Sequence, residues 1–154
     1  MGERGRACIL LIDDDAGFRD AVARLLEANG YTTVAAGDGE QALRLLRSGT
    51  APALILLDLR MPVMDGAAFR TEQVRDPGLR VIPVLVVSAD RTADDDPRFR
   101  DVTAYPKPVD PDDLLRAVRR LTATRISIPV EPGQVTRREA RGRPLLRGRS
   151  RGRR

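Results

Sequence analysis

Hydrophobic and polar positions fall into short apolar runs that alternate with helical stripes. "CILLID" (8–13) is a continuous apolar run, as expected of a strand buried on both faces. Phe18, Ala21, Val22, Leu25 and Leu26 follow at i, i+3, i+4, i+7 and i+8, one stripe of a helix that Asn29-Gly30 stops. "YTTVAA" (31–36) reads as a second strand. Asp38 caps the next helix, with Gln41 placed for a capping box, Ala42, Leu45 and Leu46 inward, and Gly49 at its end. "ALILLD" (53–58) is a third buried strand, and a loop, "LRMPVMDG", leads to a helix around Ala67–Val74. "IPVLVVSA" (82–89) is the fourth strand and "VTAY" (102–105) a brief fifth. Between them, the polar 90–101 stretch with its Pro97 holds at most a short helix. Asp110 caps a last helix with Pro111 at its first position and Leu114, Leu115, Val118 and Leu121 on its apolar stripe. Strand and helix alternate five times, which predicts an α/β fold: an open parallel sheet with helices on both faces.

Composition narrows the picture. A chain of 154 residues suggests one domain, with Leu, Val, Ile and Ala filling a core that has few aromatics. The single Cys8 lies in the first apolar run and reads as a buried thiol of a reducing compartment. The run Ala7–Ile12 is too short for a signal peptide or a membrane span, so the protein is expected to be cytoplasmic. Histidine is absent, which removes the commonest general base and any histidine phosphorylated in cis. The net charge of +5 is uneven: residues 122–154 hold ten arginines and two glutamates, and the rest of the chain is mildly acidic. The expected division is a domain over 7–122 and an Arg-rich disordered tail over 123–154. Lys107, between Pro106 and Pro108, is the only lysine among 27 basic residues.

In such a sheet, ligands bind at the carboxyl ends of the strands. There the first strand ends in Asp13-Asp14-Asp15, the third in Asp58 and the fourth in Ser88-Ala89, and the fifth runs into Lys107. An Asp after a strand is often only a turn or a cap, and a lone lysine is usually a solvated charge. The convergence of the set carries the functional reading. Asp13, Asp14 and Asp58 cannot share one edge as bare carboxylates without strong repulsion, and a divalent cation relieves it. Hard oxygen ligands suit Mg²⁺, which is commonly held by a few carboxylates and a phosphate. Three carboxylates, one Mg²⁺ and one ammonium sum to zero, an inventory balanced for accepting a phosphoryl group. Asp58 is the candidate nucleophile, since the other acids are adjacent and suit metal holding.

The motifs "LLIDDDAGFRDAV", "LILLDLRMPVMDG", "IPVLVVSAD" and "PKPVDPDDLL" resemble the receiver domains of two-component response regulators, from about Cys8 to Leu121. The resemblance implies a flavodoxin-like, chemotaxis-receiver-like sheet of order 2-1-3-4-5, here with a shortened fourth helix. It implies that Asp58 is the phosphoacceptor, that Asp13 and Asp14 are the acidic pair for Mg²⁺, and that the backbone carbonyl of Arg60 is a further ligand. Asp15, in the variable position after that pair, is left as a helix cap. Ser88 stands at the switch position with Ala89 after it, Lys107 matches the family lysine, and the Lys107–Pro108 bond is implied to be cis. The family's switch aromatic usually lies three residues before that lysine, where this chain has Ala104. Tyr105, two before it, is the substitute candidate.

The leading reading is a stand-alone phosphoacceptor, not an enzyme beyond self-phosphorylation from small donors and slow self-dephosphorylation. A histidine kinase or histidine phosphotransfer protein would supply the phosphoryl group in trans, and the product would signal to an output protein, as a monomer or a phosphorylation-dependent dimer. The alternative gives the basic tail a role in binding nucleic acid or an acidic partner, against the plainer view of a solvated tail without aromatics for base stacking. A phosphatase with an aspartate nucleophile fits less well, because its nucleophile usually sits on the first strand. No P-loop pattern is present.

Overall fold

The computed structural model describes residues 5–123. Five strands, β1 (Cys8–Ile12), β2 (Thr32–Ala36), β3 (Leu54–Leu57), β4 (Val84–Ser88) and β5 (Thr103–Pro106), form one parallel sheet of order β2-β1-β3-β4-β5. Four helices, α1 (Ala16–Ala28), α2 (Gly39–Arg47), α3 (Gly66–Arg75) and α4 (Pro111–Ala123), cover its two faces. This is the doubly wound, flavodoxin-like architecture expected from the alternation. Residues 124–154 lie outside the described residues, and with them nearly all of the expected tail and its nucleic-acid reading.

The continuous apolar runs are split between the two faces by the two-residue period of a strand. Leu10, Ile12, Ile55, Leu57, Val84 and Val86 pack with Ala42, Leu43 and Leu46 of α2 and Phe69 of α3. Ile9, Leu11, Leu54, Leu56, Leu85 and Val87 pack with Val22 and Leu26 of α1 and Leu114, Leu115 and Val118 of α4. Both faces being covered explains why the strands show no polar alternation.

Several expectations shift in detail. Ala21 is exposed, because the buried stripe of α1 narrows to Val22 and Leu26, with Phe18 and Leu25 half-buried. On α2, Leu43 is buried and Leu45 only half-buried. Gln41 does not close a capping box onto Asp38; its side chain accepts the Gly37 N–H instead. Cys8 is half-buried, because it opens β1 where the sheet is less covered. The segment between β4 and β5, expected to hold at most a short helix, forms two 3₁₀ turns, Thr92–Asp95 and Pro97–Phe99. Asp96 caps the second turn and Pro97 begins it, which divides the stretch.

Gly66 sits where α3 meets the end of β3. A Cβ there would press into the Asp58 backbone carbonyl and lie 2.8 Å from Leu59 Cα. Backbone atoms cannot swing aside as side chains do, so Gly66→Ala is expected to cost about 1–3 kcal/mol of stability, read from urea unfolding midpoints. An unchanged midpoint would contradict this packing.

Candidate functional site at the carboxyl edge of the sheet

Each acid reaches the edge because a strand ends beneath it. The Asp13 N–H donates to Ala36 O of β2 at 3.1 Å, and the Asp58 N–H donates to Ile12 O of β1 at 2.9 Å. The ladder therefore carries both residues one step beyond the strands, with both side chains buried. Asp14 follows and is exposed. Asp15 turns the chain into α1, its side chain accepting the Phe18 N–H at 3.1 Å, so its reading as a cap holds. Arg19 donates from Nη1 to the Asp13 carbonyl, tying the first turn of α1 to the end of β1.

The far end of the chain closes the site. Lys107 Nζ donates to Asp13 Oδ2 at 2.6 Å and lies 3.7 Å from Asp58 Oδ2. Oxygens of Asp13, Asp14 and Asp58, one from each, lie within 4.8 Å of one another, so the three could hold a metal ion. The Leu59 N–H lies 2.8 Å from Asp58 Oδ1 and 3.4 Å from Ser88 Oγ, so the carboxylate and the hydroxyl share one backbone donor. Ser88 Oγ also accepts the Asp90 N–H at 3.1 Å. Ala89, just beyond β4, is exposed. Arg60 turns its side chain outward to Asp90, Nε to Oδ2 2.9 Å, bridging the loops after β3 and β4. The Lys107–Pro108 bond is cis, as the motif implied.

Tyr105 and Ser88 lie on opposite faces of the sheet. In the register, Ser88 pairs with Pro106, Val87 with Tyr105 and Val86 with Ala104. Successive side chains alternate faces, so Tyr105 packs on the α1 and α4 side while Ala104 shares the face of Ser88. Alternation thus speaks against Tyr105 as an aromatic that moves with Ser88. A small cavity of about 30 Å³ remains on the Ser88 face between β4, the first 3₁₀ turn and Ala104.

Two neighbours escaped the sequence. Phe18 read only as part of an apolar stripe, yet its ring lies 4.2 Å from Lys107 Nζ. The Arg60–Asp90 bridge joins two loops whose separation in sequence gives no signal.

Burial raises the Asp13 pKa above its ordinary value of 3.8, with the Asp58 charge adding to the rise and Lys107 and the Asp15 N–H opposing it. The native fold then binds more protons than the unfolded chain between the two values, and stability falls as pH climbs through that window. In the presence of a chelator, Asp13→Asn is expected to stabilise the protein at neutral pH, by on the order of 1 kcal/mol per unit of pKa elevation. The gain should vanish as pH drops toward 3.8. Denaturant midpoints at several pH values measure it, and a variant less stable than wild type at neutral pH would contradict it.

With this geometry in place, the sequence model described as "Response regulator receiver domain" matches residues 9–119. The chain is 36% identical over 116 residues to "Response regulator MprA" of Mycobacterium ulcerans, a match covering 73% of this chain and 49% of that protein. It thus spans about half the length of the curated relatives it matches. Among solved structures, it is similar to the signal receiver domain of a signal transduction histidine kinase from Syntrophus aciditrophicus, with 30% identity and TM-score 0.69 over 81% of this chain and 96% of that one. It is also similar to the Vibrio cholerae chemotaxis protein CheY4, with 26% identity and TM-score 0.68 over 75% of this chain and 98% of that one. Among the described residues, no helix is long and apolar enough to cross a membrane.

Proposed function

Because this chain belongs to the response regulator receiver domain family, we propose that Asp58 accepts a phosphoryl group, in a two-component phosphorelay, from a histidine kinase or histidine phosphotransfer protein. The observation that carries the reading is Lys107 Nζ between the buried carboxylates of Asp13 and Asp58.

In the proposed transfer, an Asp58 carboxylate oxygen forms a bond to phosphorus as the phosphorus–nitrogen bond of a phosphohistidine breaks. The electron pair of that bond stays on the imidazole, which belongs to the donor, since this chain has no histidine. Catalysis of such a step is mainly positioning and charge stabilisation. Lys107 can exchange Asp13 for a phosphoryl oxygen, because its flexible stem carries a compact charge. Ser88 Oγ, which shares the Leu59 N–H with the Asp58 carboxylate, is the hydroxyl that would donate to another phosphoryl oxygen. The charged, oxygen-only donor set of Asp13, Asp14 and Asp58 fits Mg²⁺, and the Arg60 carbonyl is the further ligand that the resemblance implies. When bound, Mg²⁺ supplies positive charge against the phosphoryl oxygens.

We further read the output as a change in the segment from Ser88 to Phe99, which lines the site at one end and docks on α3 at the other. Arg98 Nη1 donates there to Ala67 O at 3.2 Å and to Thr71 Oγ1 at 3.0 Å. Phosphorylation would bias such a segment between two arrangements, and the output protein would read that surface. The reading needs no catalysed turnover of a substrate.

Incubation with acetyl phosphate and Mg²⁺, followed by intact-mass measurement, tests the phosphoacceptor. Wild type is expected to gain one phosphoryl group and Asp58→Asn none. Absence of an adduct on wild type, or its persistence in Asp58→Asn, would overturn the assignment.

A further inference from the structure

The Lys107 ammonium lies over the ring of Phe18, 4.2 Å from its centroid, while it donates to Asp13. We propose that Phe18 is a positioning residue, whose ring face holds the Lys107 ammonium at the site while its anionic partner changes. The proposal rests on Asp58 as phosphoacceptor for its kinetic part only.

Phe18 is placed as a fixed platform. Its backbone N–H is bound by the Asp15 cap, and its ring is half-buried against the α1 and α4 face of the sheet. The next residue, Arg19, is tied to the Asp13 carbonyl. The ring is therefore anchored to the strand end whose carboxylate now holds Lys107. A lysine stem is long and flexible, and Lys107 remains one-fifth exposed, so the carboxylates alone do not confine it. A carboxylate hold also competes with any new anion for the ammonium. The negative face of an aromatic ring attracts the cation from one side and leaves its other N–H groups free for oxygen acceptors. The ring can therefore keep the charge at the edge while Asp13 gives way to a phosphoryl oxygen.

A purely apolar role for Phe18 is the competing account, and a leucine separates the two: it preserves apolar packing and removes the ring face. Lys107 is the only lysine in the chain, so isotope-labelled lysine yields one side-chain signal from the full protein. The side-chain methylene protons next to the ammonium are expected to be shifted upfield by the ring in wild type and in Phe18→Tyr. They are expected to return toward the free-lysine position in Phe18→Leu. The rate of adduct formation with acetyl phosphate and Mg²⁺ should fall roughly two- to thirty-fold in Phe18→Leu, the span of an ammonium–ring contact, and stay near wild type in Phe18→Tyr. An identical lysine signal in wild type and Phe18→Leu would overturn the contact. Equal rates in Phe18→Leu and Phe18→Tyr would overturn its role in the reaction. If wild type forms no adduct, the phosphoacceptor reading fails and the lysine signal alone decides whether the ring holds the ammonium.

Discussion

Two buried carboxylates share one ammonium at the carboxyl edge of the sheet, and the rest of the site is arranged around that imbalance. Burying charge is costly unless it is paired and hydrogen-bonded. Asp13 and Asp58 meet this condition only in part, through Lys107 and the backbone N–H groups of Asp15 and Leu59. The fold holds them there regardless, because β1 and β3 are adjacent and parallel and both acids are the next residues after their strands. Such residual repulsion is what a site for binding charge is expected to show.

Much of this was legible in the chain. Unbroken apolar runs implied strands covered on both faces, and helical stripes between them implied parallel connections. The acids following strands one and three, and the solitary lysine after strand five, then had to meet. Aspartates 15, 38 and 110 announced helix starts and fulfil that role. The order of the strands came from resemblance, because alternation alone leaves it open. Burial was less legible where a helix face narrows, as at Ala21, or turns, as at Leu43, since propensity does not say how closely the sheet approaches. Contacts made only in three dimensions left no trace: the Phe18 ring beneath Lys107, and the Arg60–Asp90 bridge. Nor did the sequence reveal Val63, a β-branched residue at φ 67° whose turn closes with the Met64 N–H donating to Pro62 O at 2.7 Å.

The β4–β5 segment is as short of helix as its polar, Pro97-containing sequence implied. Two 3₁₀ turns form there, and Arg98 fastens them to α3. Ala104 leaves open space on the face of Ser88, while Tyr105 is committed to the opposite core. A coupling that relied on an aromatic side chain moving with Ser88 has no aromatic on that strand face to move. The loop itself is linked to the site through Ser88 and Asp90.

The three acids and one lysine form an edge that lacks positive charge, and Mg²⁺ is the ion proposed to supply it. Thermal unfolding with and without Mg²⁺ tests it most directly, because a ligand that binds only the native state raises its stability. The unfolding temperature of wild type should rise saturably with Mg²⁺, and that of an Asp13→Asn/Asp58→Asn double variant should not. No rise in wild type, or the same rise in both proteins, would contradict the account.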